Sequence, residues 1–390
     1  MKTDVTSREI EIHGYCDPRF SAVKEVFAAN FSSGADVGAS FAATIDGKFV
    51  IDLWAGYADA ARTRPWERDT LACLYSTTKA MTALSALVLV DRGQLDLDAP
   101  VARYWPEFAQ AGKEAIPVRY LLSHQSGLAW FDEPLPVEAL FDWDRIVGLL
   151  AAQRPSWQPG TQSGYHALTM GYLVGEVIRR ITHKTVGAFF REEIAGPLQA
   201  DFHMGLAPQH DSRVAEMIPP PPRGPEDPRY RDPASLPETM QWKAMYPLMD
   251  PVRVSNTRAW RAAEIPASSG YGNARSLARI ASVLARGEVD GTRLLGTPTI
   301  EEAFREQSYG PDLVLMIPIR WALGMALTSE ETPFGPNPRT LFGGGGGGSH
   351  VVVDRDAGLS HAYVMNNCIG SVLDGDDRGM ALGRALYAAL

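Results

Sequence analysis

One stretch limits the fold more than any other: from Met81 to Val90 the chain runs through apolar and small residues, with neither Gly nor Pro until Gly93. A helix that is apolar on all sides is a buried helix, so the rest of the chain must supply a core that encloses it. Directly before it stand Ser76-Thr77-Thr78-Lys79, preceded by Leu74-Tyr75. Lysine is scarce (Lys2, Lys24, Lys48, Lys79, Lys113, Lys184, Lys243), and Lys79 is the one set inside an otherwise apolar helix. Side chains three apart share a helix face, with Cβ atoms about 5–6 Å apart, so the Lys79 amine can reach the Ser76 hydroxyl. The unpaired N–H groups of the helix start suit a developing oxyanion on whatever Ser76 attacks. The same positive field, with desolvation, favours a neutral amine on Lys79. Alone, an SxxK match is a weak signal, because an N-cap serine beside an unrelated lysine gives the same letters.

At 390 residues the chain can bury a sizeable core and has room for two lobes. A net charge of −9, with no compensating Lys/Arg cluster, argues against a nucleic-acid surface. Cys16, Cys73 and Cys368 are widely separated and form no CxxC pair, which indicates neither a disulfide framework nor a zinc site. No His/Glu pair has metallohydrolase spacing. Asp374-Gly375-Asp376-Asp377 lacks the closing glutamate of a calcium loop, Ala385 standing there instead, and reads as a solvated acidic turn. No metal or other cofactor is expected. Met1 to Gly14 lacks the apolar centre of a signal peptide, and Met81–Val90 is too short to span a bilayer. A cytoplasmic location without a membrane partner is therefore the expectation, and nothing sets an oligomeric state.

Taken in order, Ala39–Ala58 reads as a hairpin around Asp46-Gly47. Asp96–Glu114 reads as short helices with loops, and Val118–Leu122 as a helical turn leading into Ser123-His124-Gln125-Ser126-Gly127-Leu128. Ser123 and His124 are weighed as catalytic candidates, but no acid partner stands near His124, so a turn held by its own side chains is favoured. After the Trp157-Gln158-Pro159-Gly160 turn, a helix is expected from Tyr165 to Ile181, with Tyr165 at its start as a core aromatic. The prolines from Pro219 to Pro233 exclude regular structure and suggest a loop or flap. Asn273 leads into a helix over Ala274–Arg286.

Near the end, the glycines Gly343 to Gly348 precede a strand to Asp354, a break at Asp356-Ala357-Gly358, a strand over Leu359–Met365 and a helix from about Arg378. Gly343, Gly345 and Gly348 satisfy GxGxxG, but a strand follows where dinucleotide binding needs a helix. Low side-chain volume beside a strand instead lets a substrate approach the backbone. The GxSxG elbow of ordinary esterases is absent.

Leu74–Lys79, Leu121–Leu128, Trp157–Tyr172, Gly270–Ala278 and Phe342–Asn366, in that order, resemble the serine β-lactamase and penicillin-binding-protein superfamily. Within it the chain is most similar to the family VIII carboxylesterases, which look like class C β-lactamases. The resemblance implies an α/β (α+β) fold. Residues 1–85 and 260–390 would build an antiparallel sheet flanked by helices, and residues 86–259 an inserted, mostly helical lobe. It implies cleavage of small or short-chain esters through a Ser76 acyl-enzyme. Lys79 would accept the proton of Ser76 or hold Tyr165 as phenolate, and Tyr165 would serve the leaving alcohol and later the water. The oxyanion hole would pair the Ser76 N–H with one from Gly346 or Gly347. Trp130, Trp157, Gly343, Gly344 and the proline-rich segment are candidate pocket walls.

Ala167 stands where lactamases carry the Asn of Tyr-x-Asn, and Gly343 or Gly344 where their third motif begins with Lys. Both losses favour a neutral ester over a carboxylate-bearing lactam. The alternatives are a β-lactamase, D-Ala-D-Ala peptidase or acyltransferase of the same superfamily, or a non-catalytic binding homologue.

Overall fold

The computed structural model describes residues 10–220, 239–245, 251–370 and 375–390. The strands are β1 Ile12–Cys16, β2 Gly38–Ile45, β3 Lys48–Gly56, β4 Ala72–Cys73, β5 Phe202–Met204, β6 Gly270–Gly272, β7 Glu288–Val289, β8 Thr292–Arg293, β9 Ser308–Pro311, β10 Pro318–Trp321, β11 Ala326–Leu327, β12 Thr340–Gly344, β13 His350–Asp354 and β14 Leu359–Met365. Nine of them form one antiparallel sheet in the order β1-β3-β2-β14-β13-β12-β11-β10-β9. Its centre is made where β14, near the chain's end, pairs with β2, Ala362 lying opposite Ala42. The β2–β3 hairpin turns at Asp46 and Gly47, both at positive φ, the conformation that a two-residue hairpin requires.

Period-two alternation assigns each face of that sheet its helix. On one face Ser360 donates to the Ala278 carbonyl at 2.7 Å and the amphipathic Ala274–Arg286 helix covers β2, β13 and β14. Asn273 caps this helix by accepting from Ser276 N at 2.9 Å. On the other face His350 and His361 lie under the Arg378–Ala388 helix, whose Gly379 and Gly383 sit directly over the two imidazoles.

The apolar run becomes the helix Thr78–Asp91, buried from Thr78 to Leu89 and ended by Gly93 at φ +68°. It packs against the Thr169–Thr182, Val186–Phe190 and Thr297–Ala303 helices. A small sheet, β4-β6-β5, lies beside its start. Two details differ from the sequence reading. The helix expected from Tyr165 begins at Thr169, so Tyr165 lies in the loop before it. Gly343 and Gly344 are the last residues of β12, not part of a free loop. Of the prolines from 219 to 233, only Pro219 and Pro220 are among the described residues. The acidic turn is likewise only partly solvated: Asp376 is buried against Arg378, while Asp377 pairs with Arg384 at the surface. Asp374 is outside the described residues. Cys16, Cys73 and Cys368 are free thiols. No helix among the described residues is long and apolar enough to cross a membrane.

Candidate active site

Ser76 sits in a single 3₁₀ turn, Tyr75–Thr77, that feeds directly into the buried helix. Tyr75 has φ +44°, left-handed backbone that a bulky residue adopts only under constraint. The constraint is partly tertiary and partly local: the Tyr75 hydroxyl bonds Ser255 Oγ at 3.0 Å and Thr77 N donates to the Leu74 carbonyl at 3.1 Å. The turn thereby presents Ser76, partly exposed, with its N–H taken by no acceptor among the described residues.

Lys79 points back at it, its Nζ lying 3.0 Å from Ser76 Oγ. The same nitrogen is 2.7 Å from the Ala167 carbonyl and 3.0 Å from the Ala267 carbonyl. Lys79 is 4% exposed, and burial pushes its amine well below the usual lysine value. A neutral amine has two N–H donors and one lone pair. In that form, with its two N–H groups on the carbonyls, the lone pair would face the Ser76 hydroxyl as a base faces its proton, whereas an ammonium would donate to all three oxygens.

Tyr165 completes the constellation. Its ring centroid is 4.7 Å from Lys79 Nζ. Desolvation raises the phenol above its ordinary value, a hydrogen bond with the Ser76 side chain opposes the rise, and the charge of Asp312 adds to it. Burial thus moves both Lys79 and Tyr165 toward their neutral forms, which favours a neutral lysine over a lysine cation holding a phenolate.

The glycine loop after β12 closes the other side. Gly345 N donates to Ser349 O at 2.7 Å and Gly348 N to Gly345 O at 3.0 Å, while Gly346 N and Gly347 N find no acceptor among the described residues. Ser349 Oγ lies 3.0 Å from Thr77 Oγ1 and donates to the Leu74 carbonyl at 3.1 Å, so the loop is pinned to the nucleophile turn. The pinning requires glycine at 345, where a Cβ would come within 2.4 Å of Leu74 O. From behind, buried Arg378 donates to Gly347 O at 3.3 Å while paired with Asp376 at 2.6 Å and Asp36 at 2.8 Å.

A cavity of about 70 Å³ opens over Ser76, lined among others by Gly346, Tyr75, Leu168, Val252 and Cys368, with no Lys, Arg, Asp or Glu in its described lining. Burial pushes the Cys368 thiol up to about 12, so it is an inert wall. Ser76, Lys79, Tyr165 and Gly346 are therefore brought together. Gly347 is adjacent but turned toward the core, where a Cβ would meet Met365 and Cys368. The other four residues considered for the pocket do not line this cavity. Trp130 and Trp157 pair at 6.0 Å and pack in a small cluster with Ala167 and Tyr165. Gly343 packs beside Ala80 and Val351, and Gly344 is exposed. Among the described residues no group of His, Cys, Asp and Glu could hold a metal ion.

Ser123 and His124 do form a side-chain-held turn: Ser123 donates to Arg119 O at 2.9 Å, and His124 accepts from His166 N at 3.2 Å. The sequence reading missed Asp312 and Trp321, which surround Tyr165, and the Ala267 carbonyl on Lys79. Lys79 is the lysine inside an apolar helix, as expected, and among the described residues a second lysine is also buried. Lys113 lies in a loop, wholly buried, donating to Ala151 O and Gln153 O at the end of the Trp143–Ala152 helix. No local pattern marks these residues, because their partners are distant in sequence.

A family model described as Beta-lactamase matches residues 27–382. The chain belongs to the beta-lactamase family. Among its curated relatives, the Esterase/beta-lactamase LipL of Mycobacterium tuberculosis is 35% identical over 94% of this chain and 86% of that protein. Among solved beta-lactamase-family folds, a family VIII carboxylesterase superposes with a TM-score of 0.89 at 42% identity, covering 97% of this chain and 100% of the other. A penicillin-binding-protein homologue from Caulobacter crescentus gives a TM-score of 0.88 at 39% identity, covering 97% and 100%. The α/β fold with a large antiparallel sheet is thus that of the beta-lactamase and transpeptidase-like proteins.

Proposed function

We propose that the protein is a serine carboxylesterase that cleaves small, neutral esters through an acyl-enzyme on Ser76. The observation that carries the reading is the buried Lys79 amine, 3.0 Å from Ser76 Oγ and held by the Ala167 and Ala267 carbonyls at 2.7 and 3.0 Å. In this reading Lys79 takes the proton as Ser76 Oγ attacks the ester carbonyl. The carbonyl oxygen gathers charge against the N–H groups of Ser76 and of Gly346 or Gly347. Tyr165, kept as a phenol, gives a proton to the departing alkoxide and later handles the proton of the attacking water. The alcohol leaves; water then attacks the acyl-enzyme and gives its proton to the Tyr165 phenolate, and Lys79 returns its proton to Ser76 Oγ as the acid departs.

Support for a neutral substrate comes from the cavity over Ser76. Its uncharged described lining offers nothing to grip a lactam carboxylate. The names of similar proteins, a family VIII carboxylesterase and an esterase/beta-lactamase, agree with ester hydrolysis. The second name also favours assaying lactam turnover beside it. We place the activity in the cytoplasm, to be checked by cell fractionation.

The test compares turnover of a short-chain p-nitrophenyl ester with that of a cephalosporin by the intact protein and by Ser76→Ala. Ester turnover well above cephalosporin turnover, and its fall by at least about a thousandfold in the variant, is expected. Undiminished ester hydrolysis by Ser76→Ala would overturn the reading.

A further inference from the structure

Asp312 lies wholly buried at the root of the turn joining β9 to β10. Its Oδ1 accepts from three backbone N–H groups, those of Tyr165, Val314 and Leu315, each at 2.9 Å. Its Oδ2 accepts from Trp321 Nε1 at 3.0 Å. Four donors, with no cation paired to it among the described residues, suit an acceptor-only carboxylate. Two of the four belong to the self-bonding of a tight turn. The other two reach outward, to the loop carrying Tyr165 and to an indole on β10.

That indole lies against the Tyr165 ring, centroids 5.9 Å apart and planes 5° from parallel. Lys79 Nζ stands 4.7 Å from the ring centroid, and the His124 imidazole meets both rings edge-on, 5.0 Å from Tyr165 and 4.3 Å from Trp321. A second link, Leu313 N to Ser163 O at 2.9 Å, ties the same two loops together.

We infer that Asp312 is a positioning residue for Tyr165: its carboxylate fixes both the backbone from which the phenol projects and the indole against which the phenol ring lies. The inference rests on the proton-donor reading of Tyr165. A proton donor must meet the leaving oxygen at hydrogen-bond distance, and a displacement of about 1 Å can cost a hundredfold in rate. A tyrosine in a loop has no helix to set its direction, so the direction is set by one anion acting through two contacts. The titratable groups bearing on the phenol are Ser76 and Lys79 on the nucleophile turn, His124 beside it, His166 next in sequence, and Asp312 itself. Asp312 contributes negative charge, which also keeps the phenol protonated.

The experiment uses leaving-group demand. Ethyl and p-nitrophenyl esters of one short-chain acid differ in that ethoxide needs a proton to depart and p-nitrophenolate does not. kcat/KM is measured for both on intact protein, with active sites titrated by a fluorophosphonate. Tyr165→Phe should lower the ethyl-ester value by about a thousandfold and the nitrophenyl value by about tenfold or less. Asp312→Asn, which turns an amide N–H toward the indole N–H, should lower the ethyl-ester value by about thirtyfold to a hundredfold and the other by less than about threefold. Asp312→Asn/Trp321→Phe keeps the Oδ1 acceptor and removes that conflict, and should recover most of the loss. Trp321→Leu, with Asp312 intact, should show the same selectivity at smaller size and serves if the Asp312 variant does not fold. Equal losses on both esters, or none, in the Asp312 and Trp321 variants while Tyr165→Phe discriminates would overturn the inference and leave Tyr165's role standing. Failure of Tyr165→Phe to discriminate would remove the proton-donor reading and the inference with it.

Discussion

Lys79 shows how burial makes chemistry out of an ordinary side chain. An exposed lysine is a cation at neutral pH, but at 4% exposure the charged form loses its hydration and the amine moves well below its usual value. Two predictions follow from this residue. Lys79→Arg keeps a donor to the two carbonyls but stays charged, so kcat/KM should fall at least about a hundredfold with the fold retained by circular dichroism. In the intact protein the base form is lost as pH falls through the lowered lysine value. The acidic limb of kcat/KM against pH should therefore lie well below 10.5, the ordinary lysine value; a rate still rising at that pH would contradict the assignment. Ser76 and Lys79 were legible in sequence because their geometry is local, three residues on one turn. Tyr165 was not: by itself it read as a core aromatic, and the resemblance alone raised it. Asp312 and the Ala267 carbonyl were invisible, since one meets Tyr165 across 147 positions and the other is a backbone atom that any residue would supply.

Elements position these residues by close approach. The glycine loop reaches the nucleophile turn only because Gly345 has no Cβ, so Gly345→Ala should push the loop from Leu74 and Ser349 and lower kcat about tenfold or more. The same principle works structurally under the Arg378–Ala388 helix, where a Cβ at Gly379 would lie 2.2 Å from His350 Cε1. Gly379→Ala should cost about 1–3 kcal/mol in chemical denaturation, as overpacking does, with the active-site titre unchanged. Most elements were legible because their signals are periodic or punctuated: the β2–β3 hairpin through Asp46-Gly47, the buried helix through its unbroken apolar run, the Ala274–Arg286 helix through its Asn273 cap. The helix after Tyr165 was placed four residues early, because the apolar stripe continues into a loop whose backbone is held by tertiary bonds. Gly164 N bonds His124 O, Tyr165 N bonds Asp312, and His166 N bonds His124 Nδ1.

At the scale of the molecule, the core encloses imidazoles that must stay neutral, His350 and His361 in the sheet and His124 and His166 in the loops beside Tyr165. Burial lowers His124 and His361 well below the usual histidine value, and His166 and His350 to about 4. Where the folded value lies below the unfolded one, near 6.5, the unfolded chain binds more protons as pH falls, so stability drops from about pH 6.5 toward about pH 4. Among carboxyls, Asp36 and Glu264 are raised by burial, which works in the opposite sense from pH near their raised values downward. With four histidines acting together, the melting temperature should decline on acidification well before the ordinary carboxylate range is reached; a flat profile from pH 7 to 5 would contradict this account of the core. The activity, however, hangs on one turn. The most direct measurement is mass-spectrometric mapping of a fluorophosphonate adduct on the intact protein and on Lys79→Ala. A single adduct on Ser76, formed at least about a hundredfold more slowly in the variant, is predicted. An unlabelled Ser76, or labelling at an undiminished rate without the lysine, would contradict it.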